Sequence, residues 1–129
     1  MKTKYTILMT TIGGFALGAI AVHALHAQAK PMAYGIAEVT INNQDGYSKE
    51  FLPAVRKTIA DNGGKFLAAG GKTVSEQGTP PAQRVVIIQW PSLDAADAWW
   101  NAAATKDAFA VGQKYATFRN FAVEGLPPK

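Results

Sequence analysis

The sequence has no cysteine among its 129 residues, and its only two histidines are His23 and His26. Without cysteine the chain forms no disulfide and offers no thiolate as a nucleophile or metal ligand. Both histidines lie within residues 1–29, so residues 30–129 also lack imidazole. These absences exclude Ser-His-Asp and Cys-His catalysis and the usual zinc and haem ligand sets from residues 30–129. We therefore expect no metal and no cofactor.

Charge is also scarce, since only 17% of the residues are charged and the formal net charge is +4. The lysines and arginines are scattered along the chain, which does not favour a nucleic-acid partner. Two glycine pairs, Gly63-Gly64 and Gly70-Gly71, match neither the P-loop pattern nor a G-x-G-x-x-G turn that opens a helix. They are typical of backbone turns, and the length of the chain allows one domain.

Residues 1–29 have the three-part composition of a secretory signal peptide. Lys2 and Lys4 precede an uncharged apolar run over residues 7–22, and Ala27-Gln28-Ala29 matches a signal-peptidase site. We predict cleavage after Ala29, with Val22-His23-Ala24 and Leu25-His26-Ala27 as alternative sites. An uncleaved membrane anchor is the competing interpretation. In both cases we expect residues 30–129 to be periplasmic or secreted. The chain would contact the membrane only through the leader, and only if the leader is not cleaved.

The remainder, residues 30–129, shows the periodicities of four strands and two helical regions. Gly63-Gly64 predicts the end of the first helix. Pro53 lies inside that helix and predicts either a kink or a regular helix that begins near Leu52. The predicted strands cover 34–41, 65–69, 83–90 and 117–124, and the predicted helices cover 47–61, the stretch after a Ser92 cap, and 106–116.

The order β-α-β-β-α-β over a core of residues 34–125 predicts an α+β, ferredoxin-like domain. Right-handed crossovers place the helices on one face of a four-stranded antiparallel sheet. The other face is apolar, because it carries Tyr34, Ile36, part of an apolar third strand and either Phe118 or Phe121. A bare apolar face needs a cover, and a second copy is the simplest one. We therefore expect a homodimer with a closed interior between two sheets.

Four segments resemble the bacterial family catalogued as domain of unknown function 1330, within the dimeric α/β-barrel superfamily. They are GGKFLAAGG at 63–71, RVVIIQWPS at 84–92, AWWNA at 98–102 and VEG at 123–125. Their order and spacing extend over most of residues 34–125. The resemblance implies the ferredoxin-like fold and the dimer, but it implies little about activity.

The chain also departs from the pattern of that family. The family commonly has arginine where this chain has Ala69 and Gly112, glutamate at Gln89, and Ser-Pro-x-Tyr where this chain has residues 102–105. Each change removes a charge or a hydroxyl. The resemblance therefore implies that any polar site of the family is reduced here.

Glu38 is the one candidate catalytic residue, because a carboxylate buried in mid-strand would have a raised pKa and could act as an acid or base. Its alternative interpretation is an ion pair with Arg84 or Arg119 on the neighbouring strands. Each of these arginines could instead bind an anionic ligand, or lie at the rim with its charge in water. Together with Trp99, these are the candidate ligand-binding residues.

Three aromatic side chains could line a pocket, and helical spacing predicts Tyr47 and Trp100 as core residues with Trp99 at the edge of the apolar stripe. Two functions remain open from the sequence. One is a non-catalytic module that binds a small, partly apolar organic molecule between sheet and helices. The other is a cofactor-independent enzyme of monooxygenase or isomerase type. The missing histidine and lost polar groups favour the first.

Overall fold

A computed structural model of the chain describes residues 30–129, and the predicted leader lies outside these residues. The strands are β1 (Ala33–Ile41), β2 (Lys65–Ala69), β3 (Arg84–Trp90) and β4 (Ala116–Glu124). The helices are α1 (Gln44–Gly46), a π-helical turn (Tyr47–Phe51), α2 (Leu52–Asp61), α3 (Leu93–Asn101) and α4 (Ala103–Gly112). No helix within residues 30–129 is long and apolar enough to cross a membrane.

The four strands form one sheet in the order β2-β3-β1-β4, and every neighbouring pair is antiparallel. The first strand therefore lies inside the sheet, between two strands that follow it later in the chain. Ala33 pairs with Trp90 and Val39 pairs with Arg84, which places all four side chains on the same face. This arrangement confirms the predicted α+β, ferredoxin-like fold.

The helices pack on the sheet face that carries Val39, Val86 and Trp90. These side chains are 1 to 8% exposed and belong to one hydrophobic cluster with residues of α2, α3 and α4. Alternation along the strands sends Tyr34, Ile36 and Ile87 to the opposite face. The structure therefore confirms the prediction that the helices pack on one face of the sheet.

The first helical region begins irregularly because of Pro53. Leu52 donates its N–H to the carbonyl of Tyr47, five residues earlier, so the turn is π-helical rather than α-helical. Pro53 has no N–H to donate to the carbonyl of the preceding turn, and it is tolerated at the start of α2. The regular helix begins at Leu52, as the second of the two predicted alternatives states.

Gly63 and Gly64 end α2 in a Schellman motif. Gly63 has a φ of 84° and donates its N–H to Ala60, while Gly64 donates to Ile59 at 2.9 Å. A Cβ on Gly64 would lie 2.8 Å from Trp90 and 2.7 Å from Ile59. The glycine pair therefore both ends the helix and lets β2 start directly beneath the core, which confirms the predicted helix end.

The second helical region differs from its prediction. Ser92 accepts a hydrogen bond from the N–H of Ala95 at 3.1 Å and caps α3, as expected. Trp99, expected at the margin, is buried at 9% exposure, whereas Trp100, expected in the core, is only partly buried. Helical spacing from Ala96 is compatible with either tryptophan, so the sequence pattern could not choose between them.

The sheet face without helices is apolar over much of its area. Phe121 and Val123 remain 46% and 51% exposed there, while Phe118 packs in the core. This resolves the alternative between Phe118 and Phe121 in favour of Phe121. Among residues 30–129, the π-helical turn, α2, α3 and α4 all contribute to the hydrophobic cluster on the other face.

Candidate functional site

Two cavities of about 420 Å³ each lie between the helices and the covered face of the sheet. We name them by one residue of each lining. The Arg84 cavity is lined by side chains of the π-helical turn, α2, β2 and β3. The Trp100 cavity is lined mainly by α3 and the β1–β4 side of the sheet. They share four lining residues, Ala37, Ile88, Trp99 and Asn120.

The Arg84 cavity has an aromatic interior. Phe51 packs against Phe109 and Phe118 with ring centroids 5.2 and 5.1 Å apart, and all three rings line the cavity. Tyr47 and Phe66 complete this aromatic wall. Such a lining favours a ligand with an apolar, flat body.

Arg84 brings the main charge into this cavity. Its guanidinium carbon lies 5.9 Å from the centroid of the Tyr47 ring, and its Nε atom is buried without a hydrogen-bond partner among residues 30–129. Burial raises the pKa of Tyr47, and the positive charge of Arg84 partly offsets this rise. At pH 7 the phenol is therefore neutral beside a permanent cation.

Gly70 gives Arg84 the space that it occupies. A Cβ on Gly70 would lie 2.2 Å from the guanidinium Nη1 atom, and the φ of this glycine is 77°. The side chain of Arg84 therefore passes directly over the backbone at the end of β2. The second glycine pair of the sequence thus has a role beyond ending a strand, because it admits this arginine to the cavity.

Ala69 also keeps the Arg84 cavity open. This residue lines the cavity, and it is one of the positions where the family resemblance leads us to expect arginine. Arg56 lines the same cavity from α2. The charged residues that line it are thus two arginines, and its described lining includes no carboxylate.

The Trp100 cavity has the opposite charge. Its charged lining residues are Asp94 and Asp97, both on α3, and its aromatic lining includes Trp90, Trp99 and Trp100. The Asp97 carboxylate accepts a hydrogen bond from Asn101, and the Lys106 ammonium lies 4.3 Å from the centroid of the Trp100 ring. The Asp97 carboxylate therefore has a neutral hydrogen-bond donor, and a cation lies on the Trp100 ring of the same cavity.

Trp99 lies between the two cavities and lines both. Its indole N–H donates to the hydroxyl of Thr58 at 3.0 Å, and that hydroxyl donates to the carbonyl of Val55 at 2.7 Å. The ring of Trp99 also packs on Trp90, with centroids 5.0 Å apart. These contacts hold the indole in place, so Trp99 is both a core residue and a cavity wall.

Glu38 and Arg119 lie on the opposite face of the sheet, away from Arg84 and Trp99. The guanidinium of Arg119 donates to Glu38 at 2.5 Å, and the backbone N–H of Ala82 donates to the same carboxyl group at 3.0 Å. The bond from Ala82 and then Arg119 lower the pKa of Glu38. This direction is opposite to the raised pKa expected of an acid or base at Glu38. Of the two alternative partners expected from the sequence, Arg119 pairs with Glu38, whereas Arg84 does not because it points to the other face.

The four candidate residues therefore separate into two pairs on opposite faces of the sheet. Sequence reasoning missed Asn120, whose side chain falls on the covered face of β4 and lines both cavities. The alternation of Phe118, Asn120 and Ala122 was the available signal. Among residues 30–129, no group of three or more Asp, Glu, His or Cys side chains could hold a metal ion.

Residues 30–129 form a ferredoxin-like domain with two largely apolar cavities between its helices and its sheet. The chain belongs to the family described as "Domain of unknown function (DUF1330)", whose model matches residues 32–126. A comparison with curated proteins gives no match.

Three solved structures show the same fold. A protein of unknown function from Rhodopseudomonas palustris, in methylated form, is similar with a TM-score of 0.60 and 16% identity, over 84% of this chain and 92% of that chain. SnoaB, a cofactor-independent oxygenase from Streptomyces nogalater, has a TM-score of 0.54 and 11% identity, over 76% and 96%. HapK from Hahella chejuensis has a TM-score of 0.53 and 16% identity, over 75% and 95%.

Proposed function

We propose that residues 30–129 form an exported, homodimeric module that binds a small, partly apolar organic molecule between its helices and its sheet. The observation that carries this proposal is the pair of aromatic-lined cavities of about 420 Å³ each. Cavities of roughly 300–1,000 Å³ with an apolar lining and few polar groups are typical of small-molecule sites. Export rests on the signal-peptide pattern of residues 1–29.

The dimer is supported by the exposed apolar face of the sheet. Phe121 and Val123 are about half exposed there, next to Ile36 and Ile87 on the same face. A second copy would cover these side chains, and twofold symmetry lets one patch cover itself. Glu38 and Arg119 would then lie in the interior between the two sheets. There they could contact a bound molecule or the equivalent residues of the second copy.

A cofactor-independent enzyme is the second candidate function. It is supported by the fold that the chain shares with SnoaB, which is described as a cofactor-independent oxygenase. Fold similarity at this identity does not transfer an activity. The pairing of Glu38 with Arg119 and the absence of histidine from residues 30–129 leave few groups for proton transfer. We therefore rank this function below binding.

The test is native mass spectrometry of the protein purified from the envelope fraction of its own cells. We expect a mass that begins near Lys30, a dimer, and a co-purified small molecule. The Ala69→Leu variant, which narrows the Arg84 cavity, should lose a molecule bound there, whereas Ala54→Leu on the exposed side of α2 should retain it. A monomer that carries nothing at micromolar concentration would contradict the proposal.

A further inference from the structure

The charged residues at the Arg84 cavity have no counter-charge in the described part of the chain. Arg84 and Arg56 make no ion pair with a carboxylate of residues 30–129, whereas Arg119 is paired with Glu38 and Lys57 is paired with Asp61 at 2.7 Å. The charge of an arginine at the surface is hydrated by water and screened by salt. Arg84 cannot be fully hydrated, because its Nε atom is buried.

The position of Arg84 also places constraints on neighbouring residues that a surface arginine would not impose. Gly70 must lack a side chain for the guanidinium to lie where it does, and the hydroxyphenyl ring of Tyr47 is buried beside it at 2% exposure. A buried donor without an acceptor is destabilising by itself. The Nε atom is therefore an unsatisfied donor within the guanidinium group that lines the cavity.

We infer that the Arg84 cavity binds an organic anion, with its acid group on the guanidinium of Arg84 and its apolar body against the rings of Phe51, Phe109 and Phe118. This inference rests on the proposed binding function and names the ligand class of that site. The planar guanidinium suits a carboxylate or sulfonate, because two parallel N–H groups can donate to two oxygens. The absence of a carboxylate from the described cavity lining removes the repulsion that an anion would otherwise meet.

Two dyes that differ by one sulfonate test this inference. The anionic probe is 8-anilino-1-naphthalenesulfonate, and the neutral probe is N-phenyl-1-naphthylamine, which has the same aromatic rings. Fluorescence titration of the protein, purified as cells produce it, gives a dissociation constant for each probe. We expect the anionic probe to bind at least ~10-fold more tightly, which is about 1.4 kcal/mol.

The variant Arg84→Gln should weaken the anionic probe by ~10-fold or more and change the neutral probe by less than ~2-fold, because only the acid group loses its partner. Arg84→Lys keeps the charge without the planar group and should give an intermediate loss. The control Lys57→Gln removes one exposed positive charge from α2 and should leave both probes unchanged. Ala69→Leu, which narrows the same cavity, should weaken both probes and thereby locate them there and not on the bare sheet face.

The outcomes separate the two proposals. If neither probe binds the unmodified protein, the proposed binding function itself is contradicted. If both probes bind with the same affinity and Arg84→Gln changes neither, the cavity binds ligands but the assignment to organic anions is wrong. If Lys57→Gln weakens the anionic probe as much as Arg84→Gln does, the effect belongs to overall charge, and the inference is likewise overturned.

Discussion

The hydrogen bond between Trp99 and Thr58 allows a sharp test of how the wall between the two cavities is held. The indole N–H donates to the Thr58 hydroxyl at 3.0 Å, and the two residues are 9% and 6% exposed. Thr58→Val keeps the shape of the side chain and removes the acceptor. The buried N–H is then unpaired, which costs about 1–3 kcal/mol.

We expect a net loss of about 1–2 kcal/mol for Thr58→Val, because the added methyl group offsets part of the penalty through apolar burial. For a domain of this size, each 1 kcal/mol lowers the melting temperature by about 4–8 °C. Thr58→Val should therefore melt about 5–15 °C below the unmodified protein. Urea unfolding followed by circular dichroism gives the free energies directly.

A double-mutant cycle isolates the hydrogen bond from the change in packing. In the Trp99→Phe background there is no N–H to leave unpaired, so Thr58→Val should cost less than about 0.5 kcal/mol there. Thr105→Val is the matched control, because Thr105 is fully buried and its hydroxyl has no partner among residues 30–129. That substitution should be neutral or stabilising. An equal cost of Thr58→Val in both backgrounds, or an equal cost at Thr105, would refute the reasoning.

Three further predictions concern the sheet and the helix packing. Phe121→Asp places a charge on the exposed apolar face and should weaken the proposed dimer by ~100-fold or more in light-scattering measurements, while Ala110→Asp on the exposed side of α4 should not. The hydrogen bonds that Glu38 accepts from Ala82 and Arg119 lower its pKa below the ordinary 4.5. These bonds therefore stabilise the folded state above pH 4.5, and this stabilisation is lost as the pH falls through the lowered pKa. The difference in free energy of unfolding between the unmodified protein and Glu38→Gln should therefore become smaller from pH 6 to pH 3. A difference that stays constant over this range would contradict the lowered pKa of Glu38. Gly112→Ala would place a Cβ 2.5 Å from the Phe51 ring and should destabilise by about 1–2 kcal/mol in urea unfolding, whereas Gly71→Ala meets open space and should cost nothing.

Local patterns were sufficient for the strands and for the helix boundaries that depend on special residues. The alternation of β1 placed Val39 and Glu38 on opposite faces, because side chains in a strand alternate whatever surrounds them. Gly63 and Ser92 ended and began helices through hydrogen bonds within a few residues. Pro53 determined where the regular part of α2 begins, since a missing N–H is a property of the residue itself.

The two tryptophans show where local patterns stop. Trp99 and Trp100 are neighbours on α3, and either could face the core by helical spacing. The choice depends on Thr58 and Trp90, which belong to other elements and contact Trp99 in the folded chain. Ala102 separates α3 from α4, and α4 therefore spans Ala103–Gly112. The sequence periodicity predicts this helix later, over 106–116.

By itself the sequence determined the order of elements, the apolar face without helices, and the absence of thiol and imidazole chemistry from residues 30–129, since each follows from residue type or local spacing. Tertiary structure alone decided which arginine meets an aromatic cavity and which meets a carboxylate. Arg84 and Arg119 are both strand residues, but the register of β1 with β3 and β4 sends one beneath the helices beside Tyr47 and the other across the bare face to Glu38. The physical reason is that register is set by the packing of the whole sheet, and a shift by one residue would exchange the two faces.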